Sequence, residues 1–139
     1  MRGVLLAAAL MSVLAACMGG APRRGAAKLD DYLPYAGAPV DQFRVYQLDS
    51  WQALTADQVV IWSDPFTAYL VKVMGPCPEL GYTEHIGVTS TVGNVSRFES
   101  IVLAHHIRCP IEQIRPIDLK TMKAERAARR ATEQPTGQR

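Results

Sequence analysis

The sequence predicts an α+β domain that is mostly antiparallel β. The expected architecture is a small five- to six-stranded sheet or partly closed barrel, with one disulfide and a C-terminal helix. Three observations carry this. Short runs rich in β-branched and aromatic residues recur between Phe43 and Ile114, separated by Gly, Pro and Asn. Two cysteine–proline pairs, Cys77-Pro78 and Cys109-Pro110, lie within that stretch. A segment of helix formers, Leu119 to Ala131, follows Asp118. The chain has 139 residues, 48% apolar and 20% charged. That suffices for one compact domain with tails and excludes a large α/β enzyme architecture.

The elements follow in order. Phe43 to Leu48 is a short β-like run, and Leu48 to Gln52 reads as a loop carrying Trp51. Gln58 to Ser63 is apolar and β-branched, and Asp64-Pro65 ends it. Phe66 to Met74 is the strongest strand, so the short Asp64-Pro65 link predicts a hairpin. Gly75-Pro76-Cys77-Pro78 breaks the run, and Glu79-Leu80-Gly81 fits a turn or a single helical turn. His85 to Thr91 alternates, with Ile86 and Val88 on one face, and Gly93-Asn94 signals a turn. Arg97 to His106 predicts another strand, and Ile107 to Ile114 one more, bent at Pro110. Pro116-Ile117-Asp118 introduces the helix, with Asp118 as N-cap. Glu125 and Arg129 are spaced i, i+4. The apolar stripe is only Leu119, Met122 and alanines, so the helix should dock by its first turn.

The N-terminus reads as an address. Met1-Arg2 is a short positive start, and Gly3 to Val13 is an apolar run too short to span a bilayer. Leu14-Ala15-Ala16-Cys17 closes it and resembles the lipobox of bacterial lipoproteins. A thiol is needed there because the lipid attaches through sulfur, and small side chains before it fit a signal peptidase. This implies a signal peptide over 1–16 and a lipidated Cys17. A flexible tether over 17–40, a disulfide-stapled β-rich domain over 41–118, and a basic helix with a disordered tail over 119–139 follow. Met18 in place of aspartate favours the outer membrane, facing the periplasm.

Charge is uneven. Residues 1–28 carry Arg2, Arg23, Arg24 and Lys28 and no acid. Residues 29–118 carry 5 basic and 11 acidic side chains, a balance of −6, and residues 119–139 carry 6 and 2, a balance of +4. An acidic body argues against a nucleic-acid-binding domain.

With Cys17 lipidated, Cys77 and Cys109 remain. An even pair in an oxidising compartment reads as a disulfide, closing a loop of about 32 residues. A redox-active pair or thiolate metal ligands are the alternatives; no C-x-x-C is present, which speaks against a thioredoxin-like role.

From Phe43 to Asp118 the chain resembles a domain-of-unknown-function family of small Gram-negative envelope lipoproteins. The resemblance rests on Trp51 and Trp62, and on Ala68-Tyr69-Leu70 before Pro76-Cys77-Pro78. It rests also on Ile86 through Ser90, and on Arg108-Cys109-Pro110-Ile111 followed by Ile114 and Pro116-Ile117-Asp118. It implies a structural class and carries over no catalytic residue.

Candidate chemistry is thin. His85, His105 and His106 are the histidines, and imidazoles can bind zinc, copper or haem iron. On a strand, His105 and His106 would point to opposite faces, so one at most would join His85. No C-x-x-C-H occurs, which excludes covalent haem, and no cofactor is expected. No G-x-S-x-G occurs, and Ser90, Ser96 and Ser100 have no triad spacing. Asp57, Asp64, Glu79, Glu84 and Glu99 read as scattered surface carboxylates. Trp51, Trp62, Tyr46, Tyr69 and Phe66 would line a groove or form core, and Trp51, in its loop, is the best exposed anchor. Lys120, Lys123, Arg126, Arg129 and Arg130 make a basic helix that suits an anionic envelope component or an acidic protein. The expected role is a binding or scaffolding module held at the membrane by lipid and presented to an envelope partner, not an enzyme. A small metal- or haem-binding protein is the alternative, and an envelope hydrolase the remotest.

Overall fold

The structure, a computed structural model, describes residues 27–134. Among the described residues eight strands form: β1 Gln42–Arg44, β2 Ser50–Ala53, β3 Gln58–Asp64, β4 Thr67–Val73, β5 Gly87–Val88, β6 Asn94–Ser96, β7 Ser100–Val102 and β8 Arg108–Ile117. One helix, α1, runs Leu119–Glu133. Six strands make a curled, wholly antiparallel sheet in the order β2-β3-β4-β8-β7-β5, and β1 and β6 form a separate two-stranded ribbon. The α+β class, the antiparallel sheet, the disulfide and the C-terminal helix are all present.

Period-two alternation places apolar side chains on both faces of the central strands. Val59 and Ile61 of β3, with Val71 and Val73 of β4, enter one cluster, which the β1–β6 ribbon covers through Phe43 and Val95. Val60, Trp62, Ala68 and Leu70 enter the other, closed by Tyr32, Leu119 and Met122. Val59, Val60 and Ile61 are therefore all fully buried, as expected of a strand covered on both sides. Phe43 stacks on Tyr69, with ring centroids 4.3 Å apart. The β3–β4 hairpin turns at Asp64-Pro65, where the Asp64 carboxylate accepts the Phe66 N–H at 2.8 Å.

β8 is longer than the sequence suggests, and Pro116-Ile117 belong to it. Its pairing with β4 slips between Lys72↔Gln113 and Val73↔Ile111. This bulge rephases the strand, so Ile111 and Ile114 share a face despite their odd spacing. Pro110 and Pro116 contribute only carbonyls, to Met74 N–H and Gly37 N–H, both at 2.8 Å.

Several expectations are corrected. Residues 29–40, read as part of the tether, are folded onto the body. Tyr32 is buried, Val40 N–H donates to the Ile114 carbonyl, and Arg115 donates to the Ala36 and Gly37 carbonyls at 2.8 Å each. This strap supplies the edge of β8 that no strand occupies beyond Pro110. Ser50–Ala53 is a strand, not a loop. The strand expected over Arg97 to His106 is only Ser100–Val102, and Ala104–His106 is a single 3-10 turn. The alternation at His85 to Thr91 yields a strand at Gly87–Val88 alone. The turn expected at Gly93-Asn94 centres on Val92-Gly93, closed by reciprocal Thr91–Asn94 backbone bonds, because Asn94 already belongs to β6.

The Cys77–Cys109 disulfide joins β8 to the turn after β4, with Cα atoms 6.0 Å apart. Leu80, fully buried, donates its N–H to the Cys77 carbonyl at 3.0 Å. At the other end, Asp118 caps α1 by accepting the Thr121 N–H at 3.0 Å, and Leu119 and Met122 are its buried residues.

Three carboxylates sit below their ordinary pKa because hydrogen bonds favour the ionised form. Asp118 is lowered first by the Thr121 hydroxyl, Asp64 by the Phe66 N–H, and Glu99 by the Thr89 hydroxyl with Thr91 beside it. A depressed native pKa contributes stability above the unfolded value and loses it as pH falls through the native value. The melting temperature is expected to hold from neutrality to about pH 5 and to fall progressively at lower pH. A flat profile down to about pH 2.5 contradicts this role for the three groups.

Candidate binding surfaces

Cys17 lies outside the described residues, as does the tail from residue 135. Among the described residues no helix is long and apolar enough to cross a membrane. Trp51 is not the exposed anchor that a loop would have made it. It sits in β2 opposite Ile61, half-buried against the first core cluster.

The exposed rings are elsewhere. Tyr46 and Tyr82 are each 90% exposed, Phe98 84% and Phe66 82%, and Val92 is 94% exposed. Arg44 reaches the Tyr46 hydroxyl at 3.4 Å, and the Val45 N–H donates to the Gly93 carbonyl at 2.9 Å. That bond continues the β1–β6 ladder by one pair, which Tyr46 follows and Val92 precedes by one residue at the end of the ribbon. Val92 holds φ 52°, a left-handed conformation that β-branched residues rarely adopt. Phe98 occupies the turn after β6, with the Arg97 guanidinium 5.2 Å from its ring centre. Neither Tyr82 nor Phe98 stands out in the sequence. Their signal is an aromatic placed directly after Gly81 or within a Ser-Arg-Phe-Glu turn rather than within a β run.

His85 and His105 share an open cleft of about 510 Å³ with Glu79, Tyr82, Thr83, Glu84 and Ala104. His105 and His106 lie off any strand, with φ 57° and 60°, so the opposite-face argument does not hold. The Thr83 hydroxyl donates to the His85 carbonyl at 2.8 Å and fixes that side of the cleft. Among the described residues, no group of three or more His, Cys, Asp or Glu side chains is placed to hold a metal ion. Asp57, Asp64 and Glu99 are engaged by neighbouring hydroxyl or backbone donors.

The basic helix has two halves. Arg126 is half-buried: its guanidinium lies 5.4 Å from the Tyr32 ring centre and donates to the Asp31 carbonyl at 3.3 Å. Glu125 accepts the Tyr35 hydroxyl, which raises the Tyr35 pKa, first through that hydrogen bond. The Lys123 ammonium lies 5.8 Å from the Phe66 ring centre. Lys120, Lys123, Arg129 and Arg130 are exposed, and every residue from Ala127 to Glu133 is too.

No curated protein and no solved structure matches the chain. Residues 1–133 match the family of unknown function DUF6491, a span that takes in the strap, both Cys-Pro blocks and all of α1. The chain belongs to this family, which agrees with the resemblance to a domain-of-unknown-function family read over Phe43 to Asp118.

Proposed function

We propose that this chain is a lipid-anchored envelope module that binds or scaffolds a partner, with its body presented to the periplasm. Leu14-Ala15-Ala16-Cys17 supports the anchor, and Met18 supports outer-membrane sorting. The observation that carries binding is the ribbon tip. There a strained, 94% exposed Val92 and a 90% exposed Tyr46 flank the bonded pair Val45 and Gly93. Glycine or asparagine would relax such a two-residue turn, so an exposed apolar β-branched side chain in this conformation points to contact rather than stability.

A photo-cross-linking residue at position 46 or 92, introduced into the envelope-resident protein, tests this. One discrete adduct from each position, and none from the exposed control position Gln113, is the expected result. Val92→Gly is expected to keep or raise the melting temperature while abolishing the adduct at 46. Adducts absent at both positions, or equally present at 113, contradict the reading.

A second reading, a small metal- or haem-binding periplasmic protein, is favoured by the shared cleft of His85 and His105. It requires stoichiometric metal or a Soret band that His85→Ala reduces.

A further inference from the structure

We infer that α1 is the membrane-facing surface of the protein: its basic side chains and Phe66 lie against the anionic headgroups of the bilayer that carries the lipid anchor. This rests on the anchor proposed above and adds an orientation to it.

Four observations converge. The first is where the chain leaves the body. The Leu29–Asp31 turn abuts α1 through the Arg126–Asp31 bond, and Leu29 packs against the cluster that contains Leu119 and Met122. Residues 18–28 span at most about 40 Å when fully extended. Cys17 is thereby bound to a point beside α1 and within reach of it.

The second is charge. Residues 119–133 carry five basic and two acidic side chains, a balance of +3, against −6 for residues 29–118. An anionic surface attracts the helix and repels the rest, so the same field that draws α1 down turns the body away. The third is the unpartnered half of the helix. Its packing ends at Arg126, and Ala127 to Glu133 stand clear of the body with Arg129 and Arg130 among them. Its alanines offer too little apolar surface for insertion, so contact is electrostatic and shallow. The fourth is Phe66. At 82% exposed, at the tip of the β3–β4 hairpin and beside Lys123, it is an aromatic ring at headgroup level next to a cation.

The test uses the full chain purified from membranes and reconstituted in two kinds of vesicle. One is phosphatidylcholine; the other contains about one-third phosphatidylglycerol. Amide exchange of residues 127–133 is the readout, and intact mass reads acylation on the same sample. The expected result is exchange slowed at least roughly tenfold on the anionic vesicles only. The slowing is lost in roughly 0.5 M salt, where screening is within about 5 Å. It is lost also in the Lys120→Gln, Lys123→Gln, Arg129→Gln, Arg130→Gln variant, whose four side chains are exposed and whose melting temperature should hold. Equal exchange on both vesicles of an acylated chain overturns the orientation alone. Protection that persists without lipid, or equally on phosphatidylcholine, overturns it in favour of a protein contact. A mass without acyl chains overturns the anchor and the orientation with it.

Discussion

Replacing both Cys77 and Cys109 by serine is expected to lower the stability of the domain by about 3–4 kcal/mol. The loop they close has a sequence separation of 32. Opening it returns that much chain entropy to the unfolded state. A domain this small has little stability in reserve. The melting temperature should fall by roughly 15–25 °C. The loss is also local in character. The bridged segment contains β5, β6 and β7 and the histidine cleft, whereas β3, β4 and α1 lie outside it. Amides of residues 87–102 should therefore lose exchange protection first in the variant. A melting temperature within about 5 °C of the parent would contradict this account of the bridge.

Leu80→Ala is expected to be comparably severe, at about 2–5 kcal/mol. Leu80 is fully buried in the first cluster, among side chains from β3, β4, β7 and β8. Truncation removes apolar burial and leaves a void that strands on both sides of it cannot close. The urea midpoint should drop with little change in slope. Phe66→Ser, at an 82% exposed site, should move the midpoint by less than about 0.5 kcal/mol. Leu80 is one turn from Cys77, its carbonyl partner, so combining its loss with that of the bridge should give less than the sum. A Leu80→Ala variant as stable as the parent contradicts its place in the core.

What the sequence discloses is local. β3, β4 and their hairpin are legible because β-branched runs flank a turn-forming Asp-Pro. The α1 cap and stripe are legible because Asp118, Leu119 and Met122 lie within one turn. The disulfide is legible from Cys77 and Cys109 as an even pair once Cys17 is set aside. What it hides is non-local. Ser50-Trp51-Gln52-Ala53 has no β-branched residue and becomes a strand only because β3 offers it an edge. The strap depends on Arg115 and Pro116, almost 80 residues downstream, so Gly37 reads as spacer when it is seated on β8. Ile111 and Ile114 look out of phase until the bulge corrects them. For the candidate surfaces, Lys120, Lys123, Arg129 and Arg130 stand exposed on the helix where composition placed them. Trp51 misleads because exposure follows from pairing, not from residue type. The cleft that His85 and His105 both line joins two separate loops, one holding two left-handed residues that no local pattern announces.

The central claim is that the module is held at the membrane through Cys17. Intact-mass measurement of the protein isolated from membranes, beside a Cys17→Ser variant, tests it most directly. The account predicts a chain that begins at Cys17, carries acyl mass on that residue and lacks two hydrogens for the Cys77–Cys109 bridge. The variant should carry no acyl mass and keep its N-terminal segment. A parent chain that begins at Met1 without acyl mass, or one indistinguishable from the variant, would contradict it.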